Sequence, residues 1–282
     1  MPGMSCYHET PNGTKTHYTT VGNPEGTLII FIHGLGGSTE TFAPLYPSLH
    51  PGTYRIVCVD LEGFGKTPLS SPNTIPSISR YVDDLESLVV SLHGAKEAPI
   101  KIILIGHSLG GIIATQYAAS HPENILGLAL LGSGRSITNV PAARQRMLSM
   151  AMKVRAEGIA AAADMAAASN FPQTAKVPSE MRDTVRASVM KSDPEGYARA
   201  CEAIAGLNHV DPEYSRITAP TLLLAGSGDV ISPPERSYGI KTLIGNNAWV
   251  TVLEEVGHQF ILQDLEGSLR ALGELFDKIE KT

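Results

Sequence analysis

The sequence holds few cysteines and no pattern that would pair them. Its three cysteines, Cys6, Cys58 and Cys201, form neither a CxxC motif nor a metal-ligand cluster. Because such an odd, scattered set provides no disulfide framework, we expect a reducing, cytoplasmic compartment. Cys58 lies within the apolar run RIVCVDL, where the thiol is expected to be buried.

The sequence also lacks a basic excess, a signal segment and a long apolar run. Lys and Arg number 22 against 28 Asp and Glu, a net charge of −6, whereas a nucleic-acid-binding domain normally carries a basic excess. The N-terminal stretch MPGMSCYHETPNG has neither the basic nor the apolar region of a signal peptide. No apolar run approaches the roughly 20 residues that span a bilayer. We therefore expect no nucleic-acid or membrane partner, and no motif indicates the oligomeric state.

The sequence does contain an alternation of apolar runs and amphipathic stretches. Hydrophobic residues make up 43% of 282 residues, enough for one large domain or a domain with an insertion. Continuously apolar runs are typical of strands covered on both faces; here they are TLIIFIHG, YRIVCVDL, IKIILIGH, ILGLALLG, APTLLLAG and AWVTVLEE. Between them, SISRYVDDLESLVVSLHG and LGGIIATQYAASHP show helical spacing. This alternation predicts an α/β fold with a mostly parallel central sheet and helices on both faces.

Two segments depart from the alternation. KTHYTTVG has alternating polarity and follows Asn12-Gly13, which predicts an exposed antiparallel hairpin. A later stretch has no strand-like run and is rich in Ala, Met and Arg, a composition that favours helices. We therefore predict a core formed by residues 1–133 and 210–282, and a helical cap formed by residues 134–209.

The pentapeptide GHSLG joins a predicted strand to a predicted helix. Ser108 has a glycine two positions away on either side, Gly106 and Gly110. Such small residues allow the sharp turn that exposes a nucleophilic serine above the sheet, and the helix N-terminus directs free N–H groups at the reacting oxygen. We predict that Ser108 is a nucleophile. The alternative is a glycine-rich turn whose serine only caps the helix.

A nucleophilic serine also needs an oxyanion hole and an acid–base pair. The turn FIHGLGG ends an earlier strand, and its glycines let the backbone approach an oxyanion. We assign the hole to the amides of Leu35 and Leu109. Asp229 follows the strand TLLLAG and is the predicted acid, with Glu235 as a weaker competitor. The alternative for Asp229 is an Asx turn.

Nine histidines are available as the base. His258 has the most suitable position, because it follows the last predicted strand and Gly257 gives its loop freedom. His107 is interpreted as structural or pocket-lining, and His33 suits a loop-fixing hydrogen bond. His209 ends the predicted cap and could face the pocket. The others are expected at the surface or in loops; they are His8, His17, His50, His93 and His121.

The order Ser108, Asp229, His258 and the motifs of the chain resemble the α/β-hydrolase superfamily over nearly the whole length. The motifs are HGLGG, DLEGFGKTP, GHSLGG, GDVISPPE and GHQFILQDLE. The resemblance implies an α/β-hydrolase fold and a Ser-His-Asp triad. It also implies a structural role for the DLEGFGKT loop, which begins at Asp60.

Within the superfamily, the predicted cap resembles that of 3-oxoadipate enol-lactonases, which hydrolyse a small enol-lactone. The similar stretches are VRAEGIAAAAD and SDPEGYARACEAIAGLNH, followed by ITAPTLLLAG. Those enzymes carry Trp and Arg before the first stretch and Trp-Phe after it, where this chain reads RMLSMAMK and AAASNF. We therefore expect a softer pocket and a less polar ester or lactone. The residues predicted to line the pocket are His33, Gly34, His107, Met147, Met150 and His209.

The sequence thus predicts acyl transfer to a small-molecule substrate. His258 would take the proton of Ser108, the serine oxygen would attack a lactone or ester carbonyl, and water would then release the acid. No HExxH or P-loop motif occurs, and no GxGxxG follows the first strand, so we expect no metal or organic cofactor. Two alternatives stay open. The same triad could cleave a C–C bond next to a ketone, or the fold could serve as a non-catalytic ligand receptor.

Overall fold

Eight strands form one mixed sheet that organises the molecule. The computed structural model describes residues 3–71, 77–95, 98–173 and 177–281. The strands are β1 (Met4–Glu9), β2 (Lys15–Gly22), β3 (Thr27–Ile32), β4 (Tyr54–Val59), β5 (Ile102–His107), β6 (Ile125–Leu131), β7 (Thr221–Gly226) and β8 (Ala248–Leu253). Their order in the sheet is β1-β2-β4-β3-β5-β6-β7-β8. Strand β2 is antiparallel to both of its neighbours, and all pairs from β4 to β8 are parallel.

Helices cover both faces of this sheet. They are α1 (Ile78–His93), α2 (Leu109–Ser120), α3 (Pro141–Glu157), α4 (Ile159–Ser169), α5 (Ser179–Met190), α6 (Pro194–Ala205), α7 (Pro234–Ile244), α8 (Phe260–Gln263) and α9 (Leu265–Ile279). Alternate residues of β3 serve the two faces: Ile30 and Ile32 pack in a core with α1 and α2, and Ile29 and Phe31 pack in a core with α9. The predicted α/β fold with a mostly parallel sheet is confirmed. In the part of the chain that the structure describes, no helix is long and apolar enough to span a bilayer.

The predicted hairpin forms from β1 and β2. In its turn, the amide of Thr10 donates to the carbonyl of Thr14 at 2.9 Å, and Gly13 has a φ of 77°, in the left-handed region that glycine tolerates. The hairpin is not exposed throughout, because His17 is buried. The expectation that His17 lies at the surface is therefore wrong. Its ring reaches back to Asp60, in the loop after β4.

Helices α3 to α6 lie between β6 and β7, and the described residues of this stretch contain no strand. Helix α3 packs against α6, and α4 packs against α5. Gly196 at the start of α6 approaches Gly63 after β4 so closely that a Cβ on either would lie 2.6 Å from the other's Cα. The hydroxyl of Ser188 on α5 donates to the carbonyl of Gly36 after β3 at 3.0 Å. These helices therefore rest on loops at the carboxyl ends of the parallel strands.

Candidate active site

Ser108 stands between the end of β5 and the start of α2 in a strained backbone conformation. Its φ is 52° and its ψ is −112°, a left-handed φ that costs a non-glycine residue energy. The two glycines make this turn possible: a Cβ on Gly106 would lie 2.3 Å from the carbonyl oxygen of Gly110, and a Cβ on Gly110 would lie 2.0 Å from that of Ile32. The Ser108 side chain makes no capping hydrogen bond to α2. The geometry therefore favours the nucleophile elbow over a helix cap.

The turn after β3 lies directly against this elbow. A Cβ on Gly34 would be 3.0 Å from Cβ of Ser108. Leu35 follows in the same turn, and Leu109 is the first residue of α2. Within the described residues, neither of these two leucine amides donates a hydrogen bond to the protein. Two free N–H groups therefore lie near the serine, one of them at the positive end of a helix dipole.

Asp229 is buried in the loop after β7 and accepts three hydrogen bonds. Its Oδ1 accepts from the amides of Ile231 at 2.8 Å and Ser232 at 2.9 Å, and its Oδ2 accepts from Nδ1 of His258 at 2.7 Å. Burial by itself raises the pKa of this carboxyl, but the hydrogen bonds and the charge of His258 outweigh it and lower the pKa. Asp229 is thus a carboxylate at neutral pH. Glu235, the competing acid, is exposed on α7.

His258 lies in the loop after β8 and is buried. Because its Nδ1 donates to Asp229, its Nε2 is left as the basic nitrogen. Its backbone amide donates to the carbonyl of Asn170, at the end of α4, at 2.7 Å. In the described residues no hydrogen bond joins Ser108 to His258; in unliganded enzymes such bonds are often long and tighten when substrate binds.

His107 supports the loop that carries His258. Its Nε2 donates to the backbone carbonyl of His258 at 2.8 Å, and the two rings lie 4.8 Å apart between centroids. Burial, reinforced by the nearby His258 imidazole, lowers the pKa of His107 to about 3. The ring therefore stays neutral at physiological pH and donates through its Nε2–H.

A cavity of about 410 Å³ opens beside His258 and contains three of the six predicted pocket residues. Met147 and Met150 of α3 line it, as do His107 and Leu35. Gly34 lines a recess of about 40 Å³ next to it.

His33 and His209 lie elsewhere, and their assignment to the pocket needs correction. His33 is fully buried: its Nδ1 donates to the carbonyl of Gly34 at 2.7 Å, and its Nε2 accepts from the amide of Leu61 at 3.0 Å. Both ring nitrogens therefore hold loops in place. His209 lines a separate small crevice, where its Nδ1 donates to the carbonyl of Ile204 at 2.9 Å.

Three arginines that the sequence did not predict line the cavity beside His258: Arg135, Arg146 and Arg236. Arg135 forms an ion pair with Asp211. Within the described residues, Arg146 and Arg236 have no hydrogen-bond or ion-pair partner, and no Asp or Glu lines the cavity. Arg146 is next to Met147 and one helical turn before Met150, so it could have been predicted to line the pocket with them. Arg236 has no comparable signal in the sequence.

Known proteins similar to this chain are hydrolases. The family model Hydrolase_4, described as serine aminopeptidase, S33, matches residues 23–265. A 2-hydroxy-6-oxo-6-(2'-aminophenyl)hexa-2,4-dienoic acid hydrolase of Metapseudomonas resinovorans is 25% identical over 268 residues, which cover 90% of this chain and 84% of the relative. A pimeloyl-(acyl-carrier protein) methyl ester esterase of Shewanella sp. (strain MR-7) is 29% identical over 268 residues, covering 92% and 93%.

Solved structures share the fold. A thermophilic esterase from Thermogutta terrifontis superposes with a TM-score of 0.85 at 24% identity, covering 98% of this chain and 99% of that one. An enol-lactonase from Burkholderia xenovorans LB400 superposes with a TM-score of 0.82 at 23% identity, covering 96% and 100%. With the family match across most of the sequence, the chain belongs to the serine aminopeptidase S33 family within the α/β-hydrolase superfamily.

Proposed function

We propose that this hydrolase cleaves a small carboxylic ester or lactone through an acyl-enzyme on Ser108. The observation that carries the proposal is the buried His258–Asp229 hydrogen bond of 2.7 Å, which presents a basic nitrogen beside the strained serine elbow. A base oriented by a buried carboxylate next to a serine hydroxyl is the arrangement that serine acyl transfer needs.

In the proposed reaction, Nε2 of His258 removes the proton of Ser108 as its oxygen attacks the carbonyl carbon. The amides of Leu35 and Leu109 hold the oxyanion; one such donor is worth about 3 kcal/mol of transition-state stabilisation. The protonated imidazole then gives its proton to the leaving oxygen. The same histidine activates water to release the acid, and Asp229 stabilises the imidazolium throughout.

We further propose that residues 134–209 act as a cap that shapes the substrate site. Helix α3 supplies Met147 and Met150 to the cavity wall, and the end of α4 holds the loop of His258 through Asn170. The cavity of about 410 Å³ is of the size that small ligands occupy. Among relatives, the name of the Shewanella methyl ester esterase supports ester chemistry.

The charge of the cavity revises the expectation of a less polar substrate. Arg146 and Arg236 line it without a partner among the described residues. A guanidinium in a cleft is satisfied best by a carboxylate or phosphate oxygen. The arginines therefore favour an ester or lactone that also carries an acidic group, and the methionines favour an apolar body between that group and the reacting carbonyl.

The second candidate is hydrolysis of a C–C bond next to a ketone by the same residues. The relative from Metapseudomonas resinovorans favours it, since its name describes a hydrolase of an oxo-hexadienoic acid. The first steps at Ser108 and His258 would be the same for either bond, so substrate turnover has to distinguish them.

The test is a turnover screen over aryl esters, neutral lactones, enol-lactones and β-diketones with the wild-type protein and Ser108→Ala. We expect hydrolysis of at least one ester or lactone, and its loss in Ser108→Ala. Ser120→Ala is the matched control, because Ser120 is exposed at the far end of the same helix α2. Turnover that survives Ser108→Ala would overturn the assignment, and turnover of β-diketones alone would favour C–C cleavage.

A further inference from the structure

A second set of serine, histidine and aspartate lies near the edge of the sheet that β1 and β2 form. The hydroxyl of Ser5 on β1 lies 2.7 Å from Nε2 of His17 on β2, and Nδ1 of His17 lies 2.7 Å from Oδ2 of Asp60 in the loop after β4. In the strand order, β4 and β3 separate β2 from β5, the strand that leads to Ser108. The cluster therefore shares no residue with the triad proposed above, and its cavity meets the turn that carries Leu35 only at Gly37 and the residues after it.

The hydrogen bonds around Asp60 determine which nitrogen of His17 is basic. Oδ1 of Asp60 accepts from the amide of Thr39 at 2.6 Å, and Oδ2 accepts from the amide of Lys66 at 2.9 Å as well as from His17. Nδ1 of His17 is therefore the protonated ring nitrogen, and Nε2 is left to accept a hydrogen bond from the Ser5 hydroxyl. Asp229 uses the same scheme, two backbone amides and one imidazole, to orient His258.

The serine of this cluster differs in solvent exposure from the histidine and aspartate that would activate it. His17 and Asp60 are each 1% exposed, whereas Ser5 is exposed on the edge strand. The three residues line a cavity of about 1250 Å³, together with Tyr46 and Lys66. A small ligand in this cavity can reach the serine oxygen while the imidazole stays shielded from water.

Ser5 lacks the features that make Ser108 suitable for rapid turnover. It lies in an extended strand paired with Thr19 of β2, not in a strained elbow at the start of a helix. Strand β1 leads into a hairpin turn and β2, so no helix N-terminus follows Ser5 to present a free amide as α2 does next to Ser108. An acyl group on Ser5 would thus form slowly and be released slowly.

We propose that Ser5 is a second nucleophile, which takes the acyl group of a small activated ester and holds it. In this step a bond forms between Oγ of Ser5 and the acyl carbon, and the bond from that carbon to the leaving oxygen breaks. The Ser5 proton passes to Nε2 of His17 and from there to the leaving oxygen. The reaction needs no contribution from Ser108.

The experiment uses the full-length Ser108→Ala protein with p-nitrophenyl acetate, followed by peptide mass spectrometry. We expect release of about one equivalent of p-nitrophenol and an acetyl group on Ser5. The internal control is Ser79, an exposed serine whose hydroxyl lies 2.8 Å from that of Ser77 and, in the part of the chain that the structure describes, has no histidine partner. Ser5 should be acetylated at least about 10-fold faster than Ser79, because a positioned general base contributes at least that much.

Two further variants in the Ser108→Ala background test the role of the histidine. Ser5→Ala should abolish the acetylated peptide, and His17→Gln should slow Ser5 acetylation about 100-fold. Equal acetylation of Ser5 and Ser79 would overturn the proposal, and so would an undiminished rate in a folded His17→Gln protein. If His17→Gln does not fold, the ratio of Ser5 to Ser79 acetylation in the parent protein decides the question by itself.

Discussion

At the scale of single residues, the role of Asp229 can be tested without changing the shape of the site. Asn is isosteric with Asp, but its amide cannot hold His258 in the tautomer that leaves Nε2 basic. We expect Asp229→Asn to fold normally and to lower kcat about 10⁴-fold on whichever ester the screen identifies. Asp183→Asn, an exposed change on α5, is the control. A loss below about 10-fold would show that Asp229 is not the orienting acid.

Arg236 is the residue through which substrate charge can be tested. Its guanidinium lines the cavity without a described partner, and a hydrogen bond to a charged group contributes about 1.5–3 kcal/mol. Arg236→Gln should therefore lower kcat/KM for an aryl ester that ends in a carboxylate by roughly 10- to 100-fold. The neutral ester of equal length should be unaffected.

Arg270→Gln is the control for this comparison, since Arg270 lies on α9 and pairs with Glu266 at the surface. Equal losses on the charged and the neutral ester would mean that Arg236 has a structural role. If wild type hydrolyses only the neutral ester, the anion hypothesis fails while the proposed ester chemistry stands.

Residue by residue, the sequence is most informative where the backbone restricts the choice. A Cβ added to Gly106 or Gly110 would lie 2.3 or 2.0 Å from a neighbouring carbonyl oxygen. Both positions therefore need glycine, and the pattern around Ser108 is visible in the sequence alone. Asp229 and His258 could be placed because each follows a recognisable strand. The position of Arg236 in the cavity could not be predicted, because nothing in the sequence shows the direction of a long side chain on a surface helix.

At the scale of elements, the loop after β3 and the elbow before α2 must fit against each other. A methyl group on Gly34 would lie 3.0 Å from both Cβ of Ser108 and Nδ1 of His107, so the loop that carries Leu35 would have to move. The shift needed is a few tenths of an ångström, and a misplacement of about 1 Å costs roughly 100-fold in rate. We therefore expect Gly34→Ala to lower kcat by roughly 10-fold while the thermal midpoint changes little.

Gly239→Ala is the matched glycine control for this prediction. Gly239 lies within α7 with no atom within 4 Å of an added Cβ, so alanine should raise the free energy of unfolding by up to about 1 kcal/mol and leave kcat alone. An unchanged kcat in Gly34→Ala would show that the loop does not position the oxyanion donors.

A strand or helix whose residues are all buried can be predicted from the sequence, whereas the contacts between elements cannot. Strand β5 is buried at every position, so a continuous apolar run identifies it. In β2, however, His17 is buried by a hydrogen bond to Asp60, a residue 43 positions later in the sequence. A contact between residues so far apart in the sequence cannot be inferred from periodicity or composition. Without it, a polar ring in a strand of alternating polarity is predicted to lie at the surface.

At the scale of the whole molecule, the helices between β6 and β7 contact the loop of His258 and the turn after β3, the two segments proposed to act in catalysis. The amide of His258 donates to Asn170 at the end of α4, and a Cβ on Gly257 would lie 2.5 Å from the same carbonyl. Val189 of α5 lies against Gly36, where an added Cβ would be 2.7 Å from its Cγ2. Movement of these helices would therefore displace both the loop of His258 and the turn that carries Leu35.

Buried neutral histidines connect the proposed active site to the acid stability of the molecule. Burial holds the pKa of His107 at about 3, against an ordinary value of 6.5, and burial also lowers the pKa of His33. Below about pH 6.5 the unfolded chain takes up protons at these positions while the folded protein does not. The stability from His107 is therefore fully present above that pH and is lost as the pH falls toward 3.

The variant His107→Gln removes the pH-dependent part of the stability that comes from His107. Its amide can still donate to the carbonyl of His258 but binds no proton. Between about pH 6 and pH 4, the free energy of unfolding of the wild type should fall more steeply than that of the variant, by about 1.4 kcal/mol per pH unit. Urea unfolding at each pH measures both slopes. Gln145→Asn, an exposed change on α3 that adds and removes no titratable group, is the control and should leave the wild-type slope unchanged. Parallel slopes for wild type and His107→Gln would mean that His107 accepts a proton in the folded protein, and that the His258 loop is open to water.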